Sequence, residues 1–155
     1  MRKSASLLLV VLVAFVCEGC GDGSVPAATS MPRPHGGTTL RLPDDLGYAE
    51  LVNEPEPTGA REGDKTALVV YFLSPDGTTA MSPAPSEVTA KVELAVSRKN
   101  SQQTLELKKE PRSDDPAGSS RFASALGSYN LGSMRGQLTG NAGSKPFVLT
   151  IAGGR

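Results

Sequence analysis

The sequence predicts an all-β fold made of short antiparallel strands. Gly (17 residues) and Pro (12 residues) punctuate the 155-residue chain, and this composition suits many short strands joined by turns. Several segments alternate apolar and polar residues, and no segment shows sustained helical periodicity with helix caps. About 7–9 such strands predict an antiparallel β-sandwich of the immunoglobulin or fibronectin type, with a small barrel as the alternative.

The first four predicted strands cover residues 38–42, 47–53, 66–73 and 87–96. The strand at 66–73 is continuously apolar, which predicts burial on both of its faces. The strand at 87–96 alternates cleanly, so Val88 and Val92 are expected in the core and Lys91 in solvent.

The remaining predicted strands cover residues 103–110, 121–126, 132–140 and 145–153. Residues 97–102 are expected to form a hairpin connection, and residues 141–144 a turn. Polar stretches broken by Pro and Gly predict loops at 54–64 and 111–120.

Two shorter motifs have a predicted structural role. Asp76 and Gly77 indicate a turn, because Asp caps its own backbone and Gly accepts a positive φ. Tyr129 is expected to be a corner tyrosine, whose hydroxyl bonds back to the backbone as in many sandwiches.

Residues 1–19 predict a removable export signal. Arg2 and Lys3 precede an apolar run at residues 5–16, which has the length typical of a signal-peptide core. A membrane-spanning helix needs roughly 20 apolar residues, whereas this run ends at Glu18. The run is therefore too short to span a membrane comfortably.

Cys17 and Cys20, the two cysteines of the chain, follow the apolar run directly. A redox pair would need a helix that starts after a strand, and a zinc site would need more ligands than the single histidine supplies. The sequence before Cys20 resembles the lipobox of bacterial lipoproteins, in which a small residue, here Gly19, precedes the lipidated cysteine. Cys17 and Glu18 depart from the usual residues of that box. The resemblance implies that Cys20 is the lipidated mature N-terminus in the cell-envelope membrane, facing the periplasm or the cell exterior.

Residues 20–34 predict a lipid anchor followed by a disordered tether. The stretch is rich in Gly, Pro, Ser and Ala, so it cannot bury enough apolar surface to offset its ordering entropy. The β-sandwich domain is predicted over residues 35–155. Sixteen basic and sixteen acidic residues give the chain zero net charge, which argues against a nucleic-acid partner.

The sequence contains no recognisable catalytic set, so a role without catalysis is expected. A triad would have to use His35, the single histidine, and no Gly-x-Ser-x-Gly elbow is present. The adjacent carboxylates Asp44 and Asp45, and likewise Asp114 and Asp115, lie beside prolines in predicted loops and are interpreted as turn residues.

Metal binding is the alternative function, with His35 and Glu50 as the candidate ligands. Neighbouring strands lie about 4.8 Å apart, so the two side chains can converge if the first two strands pair. A methionine as third ligand would favour Cu(I), whereas histidine suits copper and zinc. Two other interpretations remain open: His35 is an exposed residue at the start of a strand, and the methionines fill the core or lie in solvent. The methionines concerned are Met31, Met81 and Met134.

The segments PHGGTTLRL, YAELVN and LVVYFLSPDG resemble small uncharacterised exported bacterial proteins with a Pro-His-Gly-Gly start. The likeness covers residues 34–77. Related segments accompany metal-efflux adaptor proteins, so the resemblance implies a periplasmic copper- or zinc-binding accessory of an efflux system. Where that pattern has histidines in the second strand, this chain has Tyr48 and Asn53.

The sequence therefore predicts a lipid-anchored cell-envelope protein that acts as a non-catalytic binding or structural module without a cofactor. Its expected contacts are the membrane, through the N-terminal lipid, and another envelope protein, through sheet edges or loops.

Overall fold

The computed structural model describes residues 31–55, 65–96, 99–112 and 120–153. The predicted signal, Cys20 and most of the predicted tether lie outside these ranges, as do Asp114 and Asp115. Residues 31–34, which the sequence assigns to the tether, are described together with the domain.

The described residues form β-strands and one short 3₁₀-helix, Pro43–Asp45. The strands are β1 (Thr38–Arg41), β2 (Tyr48–Pro55), β3 (Thr66–Leu73), β4 (Ser86–Val96), β5 (Lys99–Glu106), β6 (Lys108–Lys109), β7 (Arg121–Ala123), β8 (Arg135–Ala142) and β9 (Lys145–Ile151).

The strands build two antiparallel sheets. Sheet I has the order β1-β2-β3-β7-β6, and sheet II has the order β5-β4-β8-β9. With β2 as the first strand of the pattern, β2-β3-β7-β6 and β5-β4-β8-β9 follow the ABED and C′CFG orders of immunoglobulin sandwiches. Strand β1 adds to the open edge of β2. The predicted β-sandwich is confirmed.

The inward faces of the two sheets form the core. Strand side chains alternate between faces, and the inward set of β4 includes Val88 and Val92, both buried as predicted. Lys91 is exposed, also as predicted. The buried core residues are Leu42, Ala49, Leu51, Leu68, Val70, Phe72, Met81, Val88, Ala90, Val92, Leu107, Phe122, Met134, Leu138, Phe147, Leu149 and Ile151.

One predicted strand, 103–110, divides between the two sheets. Residues up to Glu106 belong to β5 in sheet II, whereas Lys108 and Lys109 form β6 in sheet I. Leu107 is buried at the crossing, and its N–H donates to the carbonyl of Val88. A continuous alternating pattern carries no signal for this change of sheet, because both strands keep the same period.

Strand β5 also begins earlier than predicted, at Lys99 rather than at residue 103. Its first residues, KNSQ, are polar at every position, so no alternation marks them. Backbone pairing with β4, which extends to Val96↔Lys99, decides their conformation.

The shorter predictions are confirmed where they concern local geometry. Asp76 accepts hydrogen bonds from the N–H groups of Thr78 and Thr79, and Gly77 has φ +73°. The hydroxyl of Tyr129 donates to the carbonyl of Ala125 at 3.1 Å. The turn at 141–144 is a tight hairpin between β8 and β9.

Candidate functional site

The outward face of sheet I carries a second buried cluster. In β3, Val69, Tyr71 and Leu73 point outward, while the alternate residues point into the sandwich. Tyr71 is only 4% exposed and Val69 is fully buried. Burial of β3 on both faces is therefore confirmed, and the outward face is where polar residues gather.

A row of polar residues crosses this face from strand to strand. The register pairs Thr39 with Glu50, Glu50 with Tyr71, and Tyr71 with Arg121. Directly opposed residues of antiparallel strands have their Cβ atoms about 4.5–5.5 Å apart, so these side chains are neighbours on the sheet. All of them are buried.

Residues 31–37, called here the N-terminal strap, lie over one end of this row. The imidazole of His35 stacks on the ring of Tyr71, with centroids 3.5 Å apart and planes inclined by 5°. Thr39 Oγ1 donates to the carbonyl of Pro32 at 2.6 Å, and the Pro32 ring lies against Gly77.

The carboxylate of Glu50 binds the strap to sheet I. It accepts hydrogen bonds from the backbone N–H of His35, at 3.1 and 3.2 Å, and from that of Gly37, at 2.7 Å. His35 Nδ1 lies 2.9 Å from Oε2 of the same carboxylate. The Glu50 side chain is fully buried and the His35 side chain is 12% exposed. The structure thus brings the two candidate ligands together, and the interpretation of His35 as an exposed residue is wrong.

The other end of the row is an ion-pair network around Glu54. Tyr71 donates its hydroxyl to Oε1 of Glu54, while Arg121 and Arg112 lie 2.9 and 3.0 Å from Oε2. Arg121 also donates to the carbonyl of Glu110 at 3.0 Å. The Arg121 side chain is 3% exposed, so these contacts compensate a guanidinium removed from water.

Both charged partners of this network have shifted pKa values. Burial alone raises the pKa of Glu54, but hydrogen bonds from Arg121 and Tyr71 and the charges of Arg121 and Arg112 outweigh it, so that the pKa is lowered. Burial likewise lowers the pKa of Arg121, and the hydrogen bond and charge of Glu54 outweigh it in the opposite direction. Glu54 is therefore held as a carboxylate, and Tyr71 links it to the stacked ring of His35.

Two of the three methionines that the sequence offered as ligands, Met81 and Met134, do not join this site. Met81 and Met134 lie in the core between the sheets, on the opposite side of sheet I, and Met31 is 46% exposed. Among the described residues, no group of three or more His, Cys, Asp or Glu side chains is arranged to hold a metal ion. Both carboxylate oxygens of Glu50 accept hydrogen bonds from the strap.

The sequence alone did not identify Tyr71, Glu54 and Arg121 as residues of this site. Tyr71 lies within an apolar run, and Arg121 begins a short predicted strand far along the chain. The one available signal is that Glu50 occupies the face of its strand opposite to Ala49 and Leu51. A carboxylate on that face predicts polar neighbours, but only the strand register identifies them.

No protein-family model, no curated protein and no solved structure matches this chain. Within the described ranges, none of the helical structure is long and apolar enough to cross a membrane.

Proposed function

We propose that this protein is a lipid-anchored, non-catalytic binding module of the bacterial cell envelope. The predicted export signal and the lipobox-like sequence at Cys20 support the location. The observation that carries the binding role is the edge of sheet II at β5, a strand of eight residues that pairs with β4 on one side.

The edge strands differ in how well they are protected from pairing. In sheet I, β1 has four residues and β6 has two, and in sheet II β9 carries Pro146, which has no N–H to donate. Strand β5 has eight residues and no proline, carries its charged residues, Lys99 and Glu106, at its two ends, and pairs on one side with β4. Natural proteins shorten, bend or charge their edge strands to prevent pairing with another chain. A long, regular edge supports strand addition by a partner.

The backbone groups available to a partner follow from the register. The Leu107 N–H donates to Val88, which is its partner in the continued register of β4 and β5. Since N–H directions alternate along a strand, Gln103 and Leu105 donate toward β4, whereas Gln102 and Thr104 present their N–H groups to the open edge.

A groove beside the end of β5 provides side-chain contacts for such a partner. Its volume is about 390 Å³, and it is bordered by β5, by β6 and β7, and by Tyr129. Leu105 and Tyr129 are half-buried within it, and Glu106 and Lys108 are exposed at its rim. In strand addition the backbone supplies affinity, and pockets of this kind supply specificity.

The test is a substitution that removes one N–H group facing the open edge of β5 and keeps the hydrogen bonds between β4 and β5. We expect Thr104→Pro to remain folded, because proline is tolerated on edge strands at donors that face solvent, and to lose the envelope proteins recovered by mild crosslinking and pull-down from membranes. The matched control is Thr104→Val, which keeps the N–H and should recover them as the wild type does. Recovery of no partner by the wild type, or equal recovery by Thr104→Pro, would contradict the proposal.

Metal binding is the second candidate function, and the contact between His35 Nδ1 and Glu50 is the observation that favours it. Metal-ligating histidines commonly pair their other ring nitrogen with a carboxylate. Calorimetric titration of the exported protein with Cu(I), Cu(II) and Zn(II) tests this function, with His35→Ala as the comparison. Micromolar or tighter binding that His35→Ala abolishes would place metal binding first, whereas the absence of such binding would eliminate it.

A further inference from the structure

We propose that the N-terminal strap, residues 31–37, is a releasable joint: docked on sheet I it shortens the tether, and released it lengthens the reach of the domain from its anchor. The role in reach rests on the proposed lipid anchor, but docking and release are properties of the domain itself.

The contacts of the strap are separable from the core of the sandwich. Neither buried apolar cluster includes a residue of the strap, and Met31, Arg33, Pro34 and Gly36 are exposed. The strap is held by polar contacts at Glu50, by the hydrogen bond from Thr39 to Pro32, by the stack on Tyr71 and by the contact between Pro32 and Gly77. Segments that bury little apolar surface open locally at a lower free energy than the whole fold.

Glu50 makes the docked state specific. Its carboxylate lies in the middle of β2 and gathers two backbone N–H groups and one imidazole from the strap. Hydrogen bonds to a charged acceptor are the stronger kind.

Gly37 allows the backbone of the strap to lie close to β2. A Cβ atom at this position would overlap the carbonyl oxygen of Leu51 and touch Val52. The backbone of the strap therefore lies directly on β2, and any side chain at position 37 would lift it away. This gives a way to weaken docking without altering a residue of the sheet.

Release has a geometric consequence. An extended residue spans at most about 3.3–3.6 Å, so freeing residues 31–37 adds up to about 25 Å to a tether that the docked state ends at residue 31. The same movement removes the His35 ring from Tyr71 and the strap N–H groups from Glu50.

Amide hydrogen exchange of the exported protein tests the joint directly, since the N–H groups of His35 and Gly37 report on docking. We expect both to exchange more slowly than exposed loop amides and at least about tenfold faster than the β3 amides of Val70 and Phe72. Exchange as slow as that of β3 would mean that the strap opens only with the whole domain. Exchange at the rate of an unprotected loop would mean that it is not docked. Either result would overturn the proposal.

Two substitutions, each with a matched control, link the exchange to the named contacts. Glu50→Gln removes the charge from the acceptor and should speed exchange at His35 and Gly37 by about tenfold or more while leaving β3 protected. Glu106→Gln, which changes an exposed glutamate of β5, should alter exchange at neither His35 nor Gly37.

Gly37→Ala should also speed exchange at the strap, because its Cβ atom would overlap Leu51. Its control is Gly132→Ala, where a Cβ meets only Asn130 Oδ1 at 3.2 Å. If both strap variants leave exchange unchanged, the joint is refuted.

The proposed lipid anchor and the proposed joint are refuted by different results. Loss of fatty-acid labelling would remove the role in reach and leave the exchange results intact, whereas unchanged exchange in the variants would remove the joint and leave the anchor intact.

Discussion

His35 and Glu50 are fifteen residues apart in the chain, yet His35 Nδ1 lies 2.9 Å from Oε2 of a fully buried Glu50 carboxylate. The antiparallel pairing of β1 and β2 folds the chain back so that the strap crosses the strand that carries Glu50. The stack of the same imidazole on Tyr71 connects this contact to the ion pairs of Glu54, which lies on β2 four residues after Glu50. A continuous chain of contacts thus runs across the outward side of sheet I, from Glu50 through His35 and Tyr71 to Glu54.

Glu54→Gln should destabilise the domain by about 2–4 kcal/mol, because the buried guanidinium of Arg121 then keeps only the exposed carboxylate of Glu110, at 3.4 Å, as a charged partner among the described residues. The side chains of Glu54 and Arg121 are 15% and 3% exposed. The matched control is Asp45→Asn, which breaks an ion pair with Arg41 whose side chains are 79% and 61% exposed, and it should cost at most about 0.5 kcal/mol. Urea unfolding measures both, and equal effects would mean that the Glu54 network is not a structural element.

The turn at Asp76 should show an acid-dependent contribution to stability. Hydrogen bonds from Thr79 and Thr78 lower the pKa of Asp76 from 3.8 to about 2. Because the folded pKa is below the unfolded one, the contribution is fully present above pH 3.8 and is lost as the pH falls toward about 2. Urea unfolding over this interval should bring wild type and Asp76→Asn closer together in stability. A constant difference down to pH 2 would contradict the assignment.

Val92→Ala should cost about 2–4 kcal/mol, by analogy with other large-to-small core substitutions. Val92 is fully buried in the middle of β4, and its neighbour Lys91 is exposed on the other face. Lys91→Ala should therefore stay within about 0.5 kcal/mol of the wild type. Thermal or urea unfolding compares them, and similar losses would show that the facing of β4 is misassigned.

Cys20→Ser should abolish labelling of the protein by an alkyne fatty acid in cells and shift it to a soluble or unprocessed form. The expectation follows from the lipobox-like sequence that ends at Cys20, since acyl chains provide the membrane affinity. Cys17→Ser is the paired variant and should keep the label. The reverse result would move the anchor to Cys17, and labelling that neither variant affects would leave a plain export signal.

The sequence by itself determined the features that depend on near neighbours along the chain. The alternation at 87–96 set the facing of β4, the apolar run at 66–73 marked the central strand, and Asp76 and Tyr129 marked their turn and corner. Each follows from local geometry, because the period of a strand and the φ values of a turn involve only a few consecutive residues.

Tertiary structure alone decided which of these elements meet. It divided residues 103–110 between two sheets at Leu107, and it placed Met81 in the core, on the opposite face of sheet I from His35. It also joined Glu54 to Arg121, 67 residues later in the chain. Such partners are set by strand register and sheet assignment, and the free energy of those choices comes from contacts between distant segments. A local pattern of apolar and polar residues fixes the face on which a side chain lies but not the strand that lies beside it.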